Sequence, residues 1–294
     1  MSLARTHSAL PTRWRRLTLT IWGFAALLIT VAEAEPLNHH PWVVYYAAEV
    51  PVTVFDPYEL VVFDSEAHPP LQGLKERGKT VLGYLSLGEV ESHRDWFGEV
   101  REAGLLIQEN PVWKGSWFVD VRDRRWTKRV IEDLIPRILH RGFDGVFLDT
   151  LDNPPHLERT DPKRYARMTE AAARLVRSIR RHYPDITIMQ NRGYELLPDV
   201  GDSIDAVLGE SVFADYDFDK KVYQRVPEDL YREQRAILRE AQQQHPKLAI
   251  YTLDYWDPAD TAGVAAIYAE QRANGFRPYV ATIDLDKVVP EPGP

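Results

Sequence analysis

From about Trp42 onward, short runs of β-branched and aromatic residues alternate with longer segments whose apolar residues recur at helical spacing. The short runs are almost continuously apolar, which is typical of strands buried on both faces of a parallel sheet. Such alternation of strands and helices predicts an α/β fold. Nine runs are predicted as strands: Val43–Ala47, Leu60–Asp64, Thr80–Leu85, Ser116–Val121, Gly145–Thr150, Ile186–Asn191, Ala206–Glu210, Leu248–Leu253 and Tyr279–Ile283.

The longer segments predict helices between these strands. Pro136 lies inside the first of them and predicts a kink, because proline lacks the N–H that a helix interior requires. In the second helix, Asp161 is expected to cap the N-terminus and Pro162 to occupy the first helical position. The main predicted helices are Trp126–His140, Asp161–His182, Pro227–Gln244 and Pro258–Asn274.

Nine strands are one more than a closed eight-stranded barrel needs. We therefore predict a single (β/α)8 TIM-type barrel with one extra strand, formed by residues 35–294 of the 294-residue chain. The extra strand is assigned to Ser116–Val121 because it follows the longest irregular stretch, residues 90–115. On that count, Asp149 ends barrel strand four and Glu210 ends barrel strand six.

Residues 1–34 have the pattern of a signal peptide rather than of part of the fold. Four arginines precede an apolar run over Leu17–Ala32, and Ala32-Glu33-Ala34 fits the small-x-small rule for cleavage after Ala34. The prediction is therefore a secreted or periplasmic protein with no stable membrane insertion after the leader is removed. Retention of the run as an uncleaved anchor is the alternative, although the run is short for a span of about 20 residues.

Composition excludes several chemistries. The chain has no cysteine, so disulfides, thiolate zinc sites and cysteine nucleophiles are excluded. The formal charge is −8, and removal of the leader, which carries +3, leaves −11; this disfavours nucleic acid and suits a neutral or cationic partner. Gly-x-Gly-x-x-Gly, Walker, Gly-x-Ser-x-Gly and His-Glu-x-x-His motifs are missing from the sequence, so we predict no cofactor and no metal.

Polar and mostly acidic residues end the predicted strands. In a (β/α) barrel these ends converge on one face, where active sites lie. Two carboxylates on that face can divide the work between a neutral proton donor and an ionised partner, and Asp149 and Glu210 are the candidate catalytic pair. Their separation decides between a retaining and an inverting reaction, which sequence alone leaves open. The other strand-end candidates for substrate contact are Asp64, Glu89, Asp120, Asn191, Arg192, Asp254 and Tyr255.

Aromatic residues accompany the same strand ends. Sugar rings pack on flat aromatic faces, while a hydroxyl or indole N–H can bind the sugar edge. About half of these side chains are expected to serve the core instead. The set comprises Tyr45, Tyr46, Tyr84, Trp113, Trp117, Tyr216, Tyr251, Tyr255 and Trp256.

At these positions the chain resembles glycoside hydrolase family 114, the endo-α-1,4-polygalactosaminidase-like barrels, from about Trp42 to Ile283. The segments that carry the resemblance are VVFD at 61–64, GYLSLGE at 83–89, GFDGVFLD at 142–149, QNRG at 190–193 and GES at 209–211.

This resemblance implies hydrolysis of an amino-sugar polysaccharide, α-1,4-linked galactosamine, that is cationic where it is deacetylated. It further implies a retaining reaction in which Asp149 is the nucleophile and Glu210 the general acid/base. Around the sugar it implies Asp64, Tyr84, Glu89, Asn191 and Tyr255.

Two alternatives remain open from the sequence. A non-catalytic polysaccharide-binding barrel would keep the aromatic residues without needing both carboxylates. A metal-dependent barrel would use the acidic face to hold a cation and would lose activity with a chelator. Both readings share the fold, which hosts many functions.

Overall fold

The computed structural model describes residues 40–292, so the predicted leader lies outside the described part of the chain. Eight parallel strands, each paired with the next in chain order, form a nearly closed barrel with helices around it, as predicted. They are β1 (Trp42–Tyr45), β2 (Leu60–Phe63), β3 (Thr80–Ser86), β4 (Gly145–Asp149), β5 (Thr187–Asn191), β6 (Ala206–Glu210), β7 (Ala249–Tyr255) and β8 (Arg277–Ala281).

The first and last strands meet through side chains. The indole N–H of Trp42 on β1 donates to the carbonyl of Arg277 on β8, at 3.0 Å. The same buried ring packs edge-on against Tyr251 and Tyr279, with centroids 5.5 and 5.7 Å apart. These contacts bring the eighth strand back beside the first, so that the carboxyl ends of all eight strands surround one mouth.

Two insertions stand at that mouth. The first follows β3 and contains a three-stranded antiparallel sheet of Glu89–Glu91, Ser116–Val119 and Leu106–Glu109, with Ser116–Val119 in the middle. The prediction that the Ser116 run is the strand outside the barrel is therefore confirmed. The second insertion follows β6 and is a hairpin of Ala214–Asp217 and Val222–Arg225. Neither Leu106–Glu109 nor the hairpin was predicted.

Helices cover the outside of the barrel. The structure describes α-helices at Gln72–Lys75, Phe97–Glu102, Arg124–Arg129, Ile135–His140, Asn153–Thr160, Met168–His182, Leu197–Val200, Glu228–Gln244 and Thr261–Ala273. Short 3-10 turns lie at Val52–Phe55, Tyr194–Leu196 and Gly201–Ser203. Within residues 40–292, no helix combines the length and the apolar character that a membrane span needs.

Pro136 and Asp161 shape two helices in different ways. The helix around Pro136 widens into a π-helical turn, Val130–Leu134, just before the proline, which agrees with the predicted irregularity. The prediction that a helix begins at Asp161 was wrong, because that helix begins at Met168. Asp161 instead ends the preceding helix, and its carboxylate accepts the N–H groups of Lys163 and Arg164 in a local turn.

Candidate active site

Three adjacent strands bring the central polar groups together. Asp149 ends β4, Asn191 ends β5 and Glu210 ends β6, so the asparagine lies between the two carboxylates. Its single side-chain nitrogen, Nδ2, donates to Asp149 Oδ1 at 2.9 Å and to Glu210 Oε2 at 2.7 Å. One amide therefore bridges the predicted catalytic pair, and these two oxygens cannot be further apart than the two hydrogen bonds laid end to end.

Each carboxylate has a tyrosine on its other oxygen. The hydroxyl of Tyr84, on β3, donates to Asp149 Oδ2 at 2.8 Å. The hydroxyl of Tyr255, at the end of β7, donates to Glu210 Oε1. The structure thus brings together five residues that the sequence singled out. Because both ends of each carboxylate are held, the pair is pre-organised by the barrel strands.

The backbone turns sharply after two of these residues. Thr150 and Arg192, which follow Asp149 and Asn191, have φ angles of 62° and 49°, a left-handed conformation that is uncommon for residues other than glycine. The Thr150 hydroxyl accepts the N–H of Gly88 at 2.8 Å, and the Arg192 guanidinium donates to the Glu210 carbonyl at 3.0 Å. These bonds hold the strained turns and so fix where the strand-end side chains project.

Partial burial and neighbouring charge set the protonation of the pair. Burial, and next the charge of Glu210, raise the pKa of Asp149 from its usual 3.8 to about 7. Asp149 therefore keeps its proton to higher pH than an ordinary aspartic acid does. Burial and the nearby carboxylates also hold the pKa values of Tyr84 and Tyr255 well above 10, so both hydroxyls keep the protons that they donate.

Asp64, at the end of β2, belongs to the same cleft but has a different environment. Burial acts to raise its pKa, yet hydrogen bonds and charge from Arg94, together with the N–H groups of Glu66 and Ala67, lower it below the usual value. The Arg94 guanidinium lies 2.8 Å from Asp64 Oδ2 and is only 7% exposed. Asp64 therefore stays ionised beside the catalytic pair.

Arg94 is not among the site residues predicted from the sequence. Its guanidinium also lies 3.3 Å from carboxylate oxygens of Glu66 and Glu91 and 5.8 Å from the centroid of the Tyr84 ring. The residue falls in the irregular stretch 90–115, where charged side chains are usually solvated. Only the folded chain shows that this arginine meets three carboxylates, so the sequence carried no signal for it.

Glu89 forms part of the cleft wall. It is 4% exposed, and its carboxylate accepts hydrogen bonds from Asn110 at 2.7 Å, from Asn153 at 2.6 Å and from the Ser116 hydroxyl. These partners belong to the inserted sheet and to the helix that follows β4. Glu89 therefore ties the insertion to the barrel mouth, and both of its oxygens are already engaged.

Asp254 was predicted to contact substrate, and the structure corrects this. It is fully buried and does not line the cleft. Its carboxylate accepts the N–H groups of Phe213 and Ala214 at 2.6 and 2.9 Å and the Gln271 amide at 2.6 Å. Successive side chains of a strand point to opposite faces, so Tyr255 reaches the mouth while Asp254 points the other way and anchors the hairpin insertion.

Asp120 requires the same correction. It follows the inserted strand Ser116–Val119, which lies outside the barrel, and its carboxylate pairs with Arg122 at 2.7 Å instead of facing the cleft. Arg192, by contrast, does line the cleft. Strand ends converge on one mouth only when the strands belong to the same barrel. Asp120 follows a strand outside the barrel, which explains why the prediction for it was wrong.

The aromatic residues divide as expected. Four of the nine line the cleft, whereas Tyr45 and Tyr251 are buried in the core and Trp256 donates its indole N–H to Asp260 at a helix start. Tyr46 packs on Tyr84 with ring centroids 5.6 Å apart. The four that line the cleft are Tyr46, Tyr84, Trp113 and Tyr255.

The cleft is large and acidic. Its volume is about 1870 Å³, above the roughly 300–1,000 Å³ typical of small-ligand pockets. Eleven Asp and Glu residues line it against five Lys and Arg residues, which gives an excess of negative charge. Within the described chain, no group of three or more Asp, Glu or His residues is arranged to hold a metal ion. The arrangement provides two coupled carboxylates at the floor of a long, negatively charged cleft.

The sequence matches a known protein family and an uncharacterised relative. The sequence model of glycoside-hydrolase family GH114 matches residues 29–293. An uncharacterised protein from Deinococcus radiodurans is 28% identical over 246 residues, which cover 79% of this chain and 76% of that protein.

Solved structures show the same architecture. The glycoside hydrolase domain of PelA from Pseudomonas aeruginosa has a TM-score of 0.75 and 26% identity, covering 84% of this chain and 96% of that domain. Ega3 from Aspergillus fumigatus, solved in complex with galactosamine, has a TM-score of 0.64 and covers 89% of this chain and 98% of its own. At 14% identity, the likeness to Ega3 shows a shared fold alone.

The raised pKa of Asp149 predicts how stability depends on pH. Between about pH 4 and 7 the folded protein keeps a proton that the unfolded chain releases, so the free energy of unfolding falls as pH rises through this window. Asp149→Asn removes this effect. We expect the stability of the variant relative to wild type to increase by about 3–4 kcal/mol from pH 4 to pH 8.

Urea denaturation at intervals between pH 4 and pH 8 measures this difference. A lost hydrogen bond in the variant shifts its stability equally at every pH, so only the slope is informative. The exposed Asp185→Asn substitution is the matched control. A difference between Asp149→Asn and wild type that stays constant with pH contradicts the assignment.

Proposed function

The chain belongs to glycoside hydrolase family GH114 and is a glycosidase, and we propose that it cleaves a galactosamine-type polysaccharide with Asp149 as nucleophile and Glu210 as general acid/base. The alternative of a non-catalytic binding barrel is not retained, because the chain is a glycosidase. Support for the sugar comes from the likeness to PelA and to Ega3, which was solved with galactosamine.

The bridge made by Asn191 is the observation that carries the proposed mechanism. The two bridged oxygens of Asp149 and Glu210 are separated by no more than the combined length of bonds of 2.9 and 2.7 Å. Retaining glycosidases place their carboxyl groups about 5–5.5 Å apart, whereas inverting ones need roughly 6.5–9.5 Å to admit a water. The spacing therefore supports a retaining reaction.

In the first step, Asp149 attacks the anomeric carbon while the bond to the leaving oxygen breaks. Glu210 gives its proton to that oxygen, so that the shortened chain leaves as an alcohol and the other part is held as a glycosyl ester of Asp149. Hydrogen bonds from Tyr84 and Asn191 orient the attacking carboxylate. The reactive form of the pair carries one proton, on Glu210, and one negative charge, on Asp149.

In the second step, water replaces the ester. Glu210, now ionised, takes a proton from the water as its oxygen bonds to the anomeric carbon, and the carboxylate of Asp149 departs. Glu210 is thereby protonated again, and Asp149 is again ionised. Two inversions at the same carbon retain its configuration, and the hydrogen bond from Tyr255 keeps Glu210 in reach of both oxygens.

Charge and size of the cleft support a cationic polymer as substrate. A partly deacetylated galactosamine chain carries ammonium groups, and the eleven acidic residues of the lining exceed its five Lys and Arg residues. Asp64, held ionised by Arg94, is one such charge next to the catalytic pair. A volume of about 1870 Å³ accommodates several sugar rings instead of one.

Removal of either carboxyl tests the proposal. We expect Glu210→Gln and Asp149→Asn to lower the release of reducing ends from a galactosamine-rich polysaccharide by about 10²–10⁴-fold, because each variant loses one half of the acid–nucleophile pair. The measurement uses residues 35–294 with and without a chelator. Glu233→Gln, on the outer helix Glu228–Gln244, is the matched control. Loss of activity with the chelator would favour the metal-dependent alternative, and full activity of Glu210→Gln would refute the mechanism.

The pH profile provides a second test. Attack requires Asp149 in its ionised form, so kcat/KM is expected to rise with pH through the pKa of Asp149, about 7. The hydrogen bond from Tyr84 lowers the pKa of Asp149, so Tyr84→Phe should move the acid limb upward by about one pH unit as well as lower kcat. Tyr58→Phe, a tyrosine outside the cleft, should leave the limb in place. A limb that is unmoved in Tyr84→Phe would contradict this assignment.

We further propose that residues 1–34 form a cleaved leader and that the protein is secreted or periplasmic. Four arginines, the apolar run Leu17–Ala32 and the Ala32-Glu33-Ala34 site support export. Full-length chain expressed in an exporting bacterial host should yield a mature protein that begins at Glu35, as read by mass spectrometry of its N-terminal peptide. Recovery of the uncut chain in the membrane fraction would establish the anchor instead.

A further inference from the structure

Exposed apolar side chains of the described residues concentrate at the two insertions. Large apolar groups in water usually mark a binding surface when they cluster. Four of the five such side chains line the cleft that holds the catalytic pair, and Val222 does not. The five are Val112, Trp113, Phe218, Val222 and Leu230.

Two of these side chains touch each other across the barrel mouth. The rings of Trp113 and Phe218 meet edge to face, with centroids 5.5 Å apart and planes at 90°. Trp113 belongs to the insertion after β3, and Phe218 belongs to the hairpin insertion after β6. Strands β4, β5 and β6, which carry the catalytic pair and its amide bridge, lie between these insertion points in the barrel order.

Both rings are exposed but firmly supported. Phe218 packs on Tyr216 at 5.3 Å, Tyr216 packs on Tyr223 at 5.0 Å, and the Tyr223 hydroxyl accepts the N–H of Ile283 beyond β8. On the other side, the N–H of Trp113 donates to Asn110, whose amide binds the buried Glu89. Exposed rings that are held in place before binding lose little conformational freedom when a ligand arrives.

We propose that Trp113 and Phe218 form an aromatic clasp that binds a sugar ring of the polysaccharide away from the point of cleavage. The proposal rests on the proposed function, because the occupant is the same polymer whose cleavage is assigned to Asp149 and Glu210. Continuity of the cleft identifies the occupant: both rings line it, and they are 56% and 54% exposed. Pyranose rings present apolar faces that pack on such side chains.

The clasp makes recognition depend on substrate length. On this proposal, a polymer that extends from the catalytic pair to the insertions contacts both rings, whereas a disaccharide bound at Asp149 leaves them unoccupied. The energy of the clasp then contributes to binding of the polymer alone. It should therefore affect KM for the polymer more than kcat.

Kinetics on two substrates test the clasp. The substrates are a galactosamine-rich α-1,4-linked polysaccharide and a fluorogenic α-1,4-linked galactosamine disaccharide. In Trp113→Ala and Phe218→Ala, we expect the ratio of kcat/KM for the polysaccharide to that for the disaccharide to fall about fivefold to tenfold through KM. Because each ring supports the other, the double variant should lose little more than either single variant.

Val222→Ala is the matched control, since this exposed apolar side chain stands on the same hairpin but outside the cleft. Its ratio should equal that of wild type. Equal losses on both substrates in Trp113→Ala would assign the ring a local structural role and overturn the clasp. An unchanged ratio in both single variants would overturn it as well.

Binding separates this proposal from the proposed function. Glu210→Gln is run by affinity electrophoresis in gels that contain the polysaccharide, with and without Trp113→Ala. Weaker retardation of the protein that carries both Glu210→Gln and Trp113→Ala supports the clasp. This holds even if the wild-type chain releases no reducing ends, a result that would refute only the proposed function. Equal retardation overturns the clasp even if hydrolysis is confirmed, and no retardation of either protein overturns it too.

Discussion

The active site depends on one amide that binds two carboxylates at once. Asn191 can donate to both Asp149 and Glu210 because β5 lies between β4 and β6, although Asn191 is in register with Leu208 and Glu210 lies two residues further along β6. Burial, together with the charge of Glu210 at this short distance, raises the pKa of Asp149. Parallel strand order thus supplies the close spacing of the two carboxylates on which the proposed retaining reaction depends.

Acidic residues around this centre have separate tasks that depend on burial and partners. Glu89 and Asp254 are buried, and their carboxylate oxygens accept hydrogen bonds from the two insertions, one on each side of the mouth. Asp64 remains charged and faces the cleft. The two anchoring acids hold the segments that carry Trp113 and Phe218, so the positions of these two rings also depend on hydrogen bonds made by buried carboxylates.

The barrel could be predicted from sequence because each of its strands is a short apolar run, and the extra strand was placed correctly by the irregular stretch before it. The inserted strands Glu89–Glu91 and Leu106–Glu109 are polar or half exposed, so no hydrophobic pattern marks them. Strand alternation separates Asp254 from Tyr255, although the sequence places both at one strand end. Arg94 could not be predicted, because its carboxylate partners meet it only after folding.

Arg94 also resolves a conflict between attraction of substrate and catalysis. Negative charge in the cleft suits the proposed cationic polymer, but each additional charge near Asp149 would raise its pKa further and disfavour the ionised form that the proposed mechanism needs. The guanidinium contacts Asp64, Glu66 and Glu91 beside the ring of Tyr84, and so offsets charge where it lies nearest the catalytic pair. Acidic residues elsewhere in the lining keep the cleft negative overall. One buried cation therefore offsets three acidic charges in one part of the cleft.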